Sequence, residues 1–313
     1  MAFLDQFGKA GNPQFGSQPF PPKTGTKKLF LLAAVVLCSI AAPAQTSPAA
    51  SSAQKLGWQL AVHSYSYRKF SIFDAIDKTA ALGVKYMSVS GHVLIGTNNL
   101  TTIDLPDKDM EAIKARMIAK GIHWPFVNIG VVDLSANEAK SRKVFAFAKK
   151  WNIDTLVAEP PSNSWGTIDR LCKEYDIKVA LHEHAKGHSI YWDPEVVLDA
   201  VKDRTPLMGD CADIGHWEES GFDPLDCLKK LDGRIICLHF KDNNEMGQKG
   251  HNVPWGTGVG NPKAWMEELK RQNFHGAFCI EYEYHENNPD PDMAECVKFF
   301  NKTCDEIVAA AKN

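Results

Sequence analysis

The sequence predicts an α/β protein in which eight parallel strands close into one barrel, and two observations favour this fold. From Trp58 onward, short apolar runs alternate with segments of helical periodicity, and eight such units fit into about 250 residues. The rival α/β architecture is a doubly wound open sheet, but no Gly-x-Gly-x-x-Gly motif follows any apolar run. We therefore predict a single-domain (β/α)8 TIM barrel over residues 58–313.

The eight predicted strands are short apolar runs rich in Val, Ile, Leu, Ala and Cys. In chain order they are Trp58–Ser64, Tyr86–Ser90, His123–Asn128, Thr155–Glu159, Lys178–His182, Leu207–Asp213, Ile235–His239 and Ala277–Glu281.

Helix signals with clear capping residues lie between these strands. Three helices begin with a capping side chain and a proline at the first helical position: Asp193-Pro194, Asp223-Pro224 and Asn261-Pro262. Ser71 begins a further helix that Gly83 ends. Residues 107–121 and 138–151 are amphipathic at helical spacing, and residues 292–312 form the last predicted helix.

The residues before the barrel have the pattern of an export signal. Two lysines precede the apolar run 29–42, and an Ala-x-Ala site follows it at Ala44. The run is short for a membrane span, so membrane contact is expected only through the signal segment. We predict that residues 1–44 are a signal peptide with an N-terminal extension, cleaved before Gln45, and that residues 45–57 are a flexible linker. The mature protein would be periplasmic or extracellular.

Charge and cysteine content exclude two classes of protein. Beyond residue 44 the chain has 31 Lys and Arg against 37 Asp and Glu, a net charge of −6, which is a poor platform for nucleic acid. The seven cysteines of that region include no Cys-x-x-Cys pair, and Cys211, Cys237 and Cys279 lie inside predicted strands. We expect free thiols that pack as small hydrophobic groups, not a disulfide framework.

Five predicted strands in succession end in a carboxylate or an imidazole. The residues are Glu159, His182, Asp213, His239 and Glu281. The C-terminal ends of barrel strands meet at one mouth, and buried ionisable groups are costly there unless they are paired or bind a metal. Carboxylate oxygens and imidazole nitrogens suit a divalent cation. We predict one divalent metal ion, with Mn²⁺ preferred and Zn²⁺, Mg²⁺ and Co²⁺ as alternatives.

The last three strands carry a resemblance to a known family. The segments CADIGHW (211–217), ICLHFKD (236–242) and AFCIEYE (277–283) resemble the sugar phosphate isomerase/epimerase family of xylose isomerase-like barrels. The resemblance extends more loosely back to Gln59. In ketose 3-epimerases of that family, Glu, Asp, His and Glu at the ends of the fifth to eighth strands hold one metal. The resemblance implies that three of these ligands are Asp213, His239 and Glu281.

The sequence departs from the family at the fifth strand, where His182 stands at the position of the family's Glu. Either Glu159 or His182 then completes the metal shell and the other is the general base, with Glu183 adding to the ambiguity. A histidine base suits proton abstraction near neutral pH. This variant resembles the family's 3-keto-glycoside lyases and C-glycoside deglycosidases, in which a metal polarises the C3 ketone, a base removes the C2 proton and the C1 substituent leaves.

Six further side chains are candidates for sugar binding at the mouth: His63, His184, His216, Trp217, Lys241 and Trp255. The histidines could bond sugar hydroxyls, although capping is an equal alternative for His184 and His216. Lys241 could neutralise an enolate oxygen, with a solvated loop lysine as an equal alternative. The two tryptophans could stack on a sugar face, although a rim or core position is commoner for tryptophan.

The sequence therefore predicts a metal-dependent enzyme of the sugar isomerase/epimerase type that acts on a small sugar or glycoside, with a 3-keto-glycoside lyase as a variant. One alternative is a metal hydrolase like the apurinic-site endonucleases, which share an Asp-x-x-His after the sixth strand. The Asp-x-His pair that they need after the seventh strand is missing from residues 241–252. The other alternative is a non-catalytic exported sugar-binding protein. A homo-oligomer is compatible with each of these functions.

Overall fold

The computed structural model describes residues 50–311, in which helices surround a closed barrel of parallel strands. The strands of this region are β1 (Trp58–His63), β2 (Tyr86–Ser90), β3 (His92–Ile95), β4 (Asn98–Thr101), β5 (Ile129–Val132), β6 (Thr155–Ala158), β7 (Lys178–His182), β8 (Met208–Asp213), β9 (Ile235–Phe240) and β10 (Gly276–Ile280). Its α-helices are α1 (Ser52–Leu56), α2 (Ile72–Ala81), α3 (Asp107–Ala119), α4 (Glu138–Lys150), α5 (Trp165–Tyr175), α6 (Pro194–Val201), α7 (Ile214–Glu219), α8 (Pro224–Lys230), α9 (Pro262–Arg271) and α10 (Asp290–Ala310).

The barrel contains eight strands in the order β1, β2, β5, β6, β7, β8, β9 and β10, and β10 closes it by pairing with β1. Every neighbouring pair is parallel. Parallel strands need crossover connections, and in this chain helices supply most of them. The predicted (β/α)8 barrel is confirmed.

The third predicted strand, His123–Asn128, is wrong in its position. The regular strand there is β5, which begins at Ile129. Residues before it still run beside β2, since the Val127 amide donates to the Met87 carbonyl at 3.0 Å. Pro125 has no amide proton to donate, so a regular ladder does not form until the chain has passed it.

The pattern of apolar runs also missed a β-hairpin. β3 and β4 pair antiparallel and lie outside the barrel, directly after β2. Gly96, at φ +61°, occupies the first position of the two-residue turn between Ile95 and Asn98, where glycine is the favoured residue. A bridge between Leu94 and Ser71 places the hairpin against the start of α2.

The capping residues begin helices where the sequence predicts them. Asp193, Asp223 and Asn261 each accept a hydrogen bond from a backbone amide of the first turn, at 2.9–3.2 Å. Ser71 accepts one from the Asp74 amide at 3.1 Å. Because the side chain satisfies an amide that has no partner inside the helix, each cap fixes the residue at which its helix starts.

The N-terminal predictions are only partly covered by the described residues. The signal peptide and residues 45–49 of the linker lie outside them. The rest of the linker is not flexible as expected, because α1 forms there, packs against α10 and buries Leu56. No helix within residues 50–311 is long and apolar enough to cross a membrane.

Small side chains fill the barrel interior in one buried cluster: Ala61, Val157, Ala180, Cys211, Cys237, Ala277 and Cys279. Six of them stand two residues before His63, Glu159, His182, Asp213, His239 and Glu281. Side chains two apart on a strand point to the same face. The six residues from His63 to Glu281 therefore also face the axis of the barrel, at its C-terminal end. All seven cysteines of the described chain are buried and free, as expected.

Two carboxyl groups are buried between the barrel wall and the helices. Asp210 of β8 is fully buried and faces Glu183, which accepts hydrogen bonds from the Asp213 amide and the Trp217 indole at 3.0 and 3.1 Å. Burial raises the pKa of Asp210 to about 8. Burial raises the pKa of Glu183 as well, but both of its carboxylate oxygens already accept hydrogen bonds, so at neutral pH the pair holds a proton on Asp210.

We expect Asp210→Asn to flatten the pH dependence of stability. The folded pKa of Asp210 lies above its unfolded value of about 3.9. Its contribution to the free energy of unfolding is therefore complete below about pH 4. This contribution is lost as the pH rises to about 8, by at most about 1.4 kcal/mol per pH unit. Asparagine is neutral at every pH, so the substitution removes this pH-dependent contribution. Urea unfolding between pH 5 and 8 measures the change, and Asp226→Asn at an exposed site is the control. An unchanged pH slope in Asp210→Asn contradicts the assignment.

Candidate metal centre

Four side chains meet at the C-terminal end of the barrel. His182 ends β7, Asp213 ends β8, His239 lies in β9 and Glu281 follows β10. All four are buried, and one donor atom from each lies within 4.8 Å of the other three. The parallel register pairs Asp213 with His239 directly, so neighbouring strands hold these two groups at the same height.

The distances within this group fit a shared cation. His182 Nε2 lies 3.1 Å from His239 Nδ1 and 3.3 Å from Asp213 Oδ2. His239 Nδ1 lies 3.6 Å from Asp213 Oδ2 and 3.0 Å from Glu281 Oε2. Ligands about 2.1 Å from one metal ion stand roughly 3.0–3.4 Å apart. Asp213 Oδ2 and Glu281 Oε2 are buried and accept no hydrogen bond of normal geometry within the described chain, which also suits a cation.

Glu159 lies behind His182 and outside this group of four. Its Oε1 atom is 3.0 Å from His182 Nδ1 and 2.6 Å from His184 Nδ1. His182 thus faces Glu159 with one ring nitrogen and the centre with the other. His184 is 39% exposed at its side chain, and no hydrogen bond to its Nε2 atom is found within residues 50–311.

His63 reaches the same centre from β1. Its ring stacks on that of His239 with the centroids 4.6 Å apart, and its Nε2 atom is 3.6 Å from Glu281 Oε1. On the other side, His63 Nδ1 lies 2.7 Å from the Ser88 hydroxyl, which donates to Asn128. Burial and the neighbouring His239 lower the pKa of His63 to about 3, so this imidazole stays neutral.

Lys241 is buried beneath the mouth, in contact with three carboxylates. Its Nζ atom lies 3.0 Å from Asp213 Oδ2, 2.8 Å from Glu281 Oε2 and 2.7 Å from Glu283 Oε1. Glu283 is not among the site residues that the sequence predicts. The signal for it was the Glu-x-Glu spacing of residues 281–283, which places both carboxylates on one face of an extended chain.

His216 lies at the edge of the centre on α7. Its Nε2 atom is 3.8 Å from Asp213 Oδ2, and its Nδ1 atom is 2.7 Å from Glu219 Oε2. The His216 backbone amide donates to Asp213 Oδ1 at 3.1 Å, so Asp213 caps α7 with one oxygen and presents the other to the centre. The cap leaves Asp213 little freedom to turn away from the barrel axis.

The two tryptophans do not present a ring face at the mouth, which contradicts the stacking role expected of them. Trp217 is fully buried and donates its indole proton to Glu183. Trp255 is 3% exposed and packs edge-on against Phe240, with the ring centroids 4.6 Å apart. Both rings belong to the apolar core between the barrel and its surrounding helices.

Opposing charges keep the buried carboxylates ionised. Burial by itself would raise the pKa of Asp213 and of Glu281. Nearby positive groups oppose this effect, and Lys241 is the strongest of those that act on both carboxyl groups. They hold both pKa values well below their usual range. Burial opposes the charge on His239 as well, yet Glu281 and Asp213 raise its pKa to about 10. The centre therefore contains two ionised carboxylates in a low-dielectric cavity, where they attract cations strongly.

The glycine-rich loop after β9 is fixed by one carboxylate. Asp242 accepts hydrogen bonds from the backbone amides of Gly256, Gly258 and Gly260 at 2.8, 3.0 and 3.2 Å. A Cβ atom at Gly258 would stand 2.3 Å from Asp242 Oδ1, so only glycine permits this close approach. Asp242 therefore orients the loop over residues 254–261 and is not part of the centre.

Comparison with known proteins identifies the family of the chain. The family model described as xylose isomerase-like TIM barrel matches residues 161–303. An uncharacterised protein from Parabacteroides distasonis of known structure is 33% identical, with 79% of this chain and 99% of that chain covered and a TM-score of 0.62.

Two more distant structures share the fold. A D-tagatose 3-epimerase-like protein is 19% identical, with 81% and 99% of the two chains covered and a TM-score of 0.63. An IolI protein solved with a zinc atom is 14% identical, with 80% and 99% covered and a TM-score of 0.60. No curated protein matches the sequence. The chain belongs to the xylose isomerase-like TIM barrel family.

Proposed function

We propose that this protein is a divalent-metal-dependent enzyme that removes the proton next to the carbonyl carbon of a sugar. The observation that carries the proposal is the convergence of His182 Nε2, Asp213 Oδ2, His239 Nδ1 and Glu281 Oε2 at the mouth of the barrel. These four atoms would be the metal ligands. A divalent cation held there would polarise the sugar carbonyl and make the neighbouring C–H bond more acidic.

The contacts of Glu159 favour His182 as the ligand, one of the two candidates that the sequence left open, but they point to His184 and not to Glu159 as the base. His182 would be the ligand, and Glu159 would orient it through Nδ1, as carboxylates commonly do for metal-binding histidines. The same carboxylate holds His184 through its Nδ1 atom, which leaves His184 Nε2 at the mouth to receive a proton. His184 would thus be the general base, and Glu159 a positioning residue for both imidazoles.

The finer reaction that this arrangement favours is elimination from a 3-keto-glycoside. His184 takes the proton from C2, the electrons of that C–H bond form a C1=C2 double bond, and the C1–O bond breaks with its electron pair on the leaving oxygen. That oxygen then takes a proton from solvent. The buried ammonium group of Lys241 stabilises the negative charge that develops on the oxygen at C3. His63 and His216 would bind sugar hydroxyls.

The N-terminal sequence supports a proposal for where the reaction takes place. We propose that residues 1–44 direct export and that the mature enzyme meets its glycosides in the periplasm or outside the cell. Mn²⁺ remains our preferred metal, with Zn²⁺ as an alternative that the zinc-containing IolI structure supports.

Removal of a proposed ligand should abolish metal binding without unfolding the protein. We expect Asp213→Asn and His239→Ala to lower the affinity for Mn²⁺ by more than about 100-fold, because each removes a direct ligand from a small set. Titration calorimetry with Mn²⁺ measures the loss, and circular dichroism checks the fold. His285→Ala, at a histidine that bonds Asp292 away from the centre, is the control. Full Mn²⁺ binding by both ligand variants would refute the ligand set.

Isotope exchange separates the reactions that the site could perform. The Mn²⁺-loaded protein is incubated in deuterium oxide with a 3-keto-glucoside and, separately, with free ketoses. We expect release of the aglycone from the 3-keto-glucoside, because the proton lost from C2 is followed by loss of the C1 substituent. Exchange of deuterium without release would identify an epimerase or isomerase instead. The proposal would be refuted if neither deuterium exchange nor aglycone release occurred with any of several metals.

The base is tested by His184→Asn. We expect kcat to fall by about 10²–10⁴-fold, because the group that accepts the proton is lost, while Mn²⁺ affinity stays unchanged. Glu159→Gln should lower kcat less, because the imidazole remains but is less firmly oriented. His251→Asn, in an imidazole that stacks on Tyr284, serves as the control. Wild-type kcat in His184→Asn would exclude this residue as the base.

A further inference from the structure

A cavity of about 380 Å³ lies between the start of α2, the β3–β4 hairpin and the 3-10 helix of residues Ser64–Tyr67, which directly follows β1. This volume lies at the lower end of the range of small-molecule sites. The apolar part of its wall consists of Tyr67, Phe70, Ile72, Ala75, Val93 and Leu94. The hairpin that supplies Val93 and Leu94 is the element that the sequence did not reveal.

Tyr65 connects this cavity to the centre. Its ring lines the cavity and lies 6.4 Å from the ring of His63, which in turn stacks on His239 at 4.6 Å. Tyr65 is 39% exposed, so part of its ring is open to a ligand. A group attached to a sugar at the centre and extending past His63 would therefore meet Tyr65, which forms part of the cavity wall.

Arg68 supplies a polar contact in the wall. Its Nη1 atom is buried and has no hydrogen-bond partner among the described residues, and an unpaired buried donor is costly. Its other terminal nitrogen, Nη2, donates to the Glu283 carbonyl at 3.0 Å and lies 2.9 Å from Glu286 Oε2. Because Glu286 already balances the charge, the free donor suits a neutral oxygen better than a phosphate.

We infer that this cavity binds the leaving group of the substrate, and that this group is an aromatic ring bearing an oxygen, as in a phenolic glycoside. The apolar wall receives the ring, and Arg68 donates to its oxygen substituent. The inference rests on the proposed function, because it takes the sugar to lie at the candidate metal centre. It narrows the substrate class from sugars in general to glycosides with an aromatic aglycone.

The test compares two 3-keto-glucosides that differ only in the aglycone, 4-nitrophenyl and methyl. We expect KM to be at least about tenfold lower for the 4-nitrophenyl compound, because only its ring reaches the apolar wall. Leu94→Trp fills the cavity and should remove this difference. Asn98→Trp adds the same ring at an exposed position of the hairpin outside the cavity wall, and should preserve it. Leu94→Ala, which cannot block the cavity, should also preserve it.

A binding measurement separates failure of this inference from failure of the proposed function. Saturation-transfer NMR with the unoxidised 4-nitrophenyl glucoside needs no reaction, and its aromatic signals should be lost in Leu94→Trp alone. Elimination with equal KM for both glycosides would overturn the cavity assignment and leave the proposed function intact. Absence of C2 exchange, with probe binding still lost in Leu94→Trp, would overturn the proposed reaction and support the cavity as a ligand site.

Discussion

The structure of the site depends on keeping two carboxylates, Asp213 and Glu281, ionised in a buried cavity. Their desolvation is offset by charge, since Lys241 lies within 3.0 Å of both and His239 lies between them. Other contacts hold these partners in place. Glu283 anchors Lys241, and Asp213 is fixed as the cap of α7. A centre built in this way could hold a cation without rearrangement of its backbone, because its negative atoms are already oriented.

The barrel interior explains why the centre lies at one level. Six site residues follow an alanine, valine or cysteine by two positions, so these side chains fill the lumen beneath the mouth. Larger residues there would push the strands apart and change the distances above them. The thiols of Cys211, Cys237 and Cys279 thus act as packing groups of the right volume, and burial raises the pKa of Cys211 and Cys279 well above its usual value.

The sequence predicted the fold and the strand-end cluster, because both depend on local periodicity. Alternation along a strand decides which residues face the axis, and closure of the barrel brings them together. The roles of Glu159 and His182 could not be predicted in this way, because they depend on which ring nitrogen faces which neighbour. The positions of Trp217 and Trp255 were mistaken for a related reason: spacing along the chain does not tell a rim residue from one that turns into the core.

The shared carboxylate of Glu159 bears on the type of chemistry. It holds the Nδ1 atoms of two imidazoles, one directed to the centre and one left at the mouth, so the proposed ligand and base are positioned together. Epimerisation needs a second group that returns the proton to the opposite face of the sugar, whereas Glu159 positions a single proposed base, His184. Elimination needs only one base, provided that the leaving group has a place to bind. The cavity beyond Tyr65 offers such a place, so the geometry of the base and the shape of the mouth favour the same reaction.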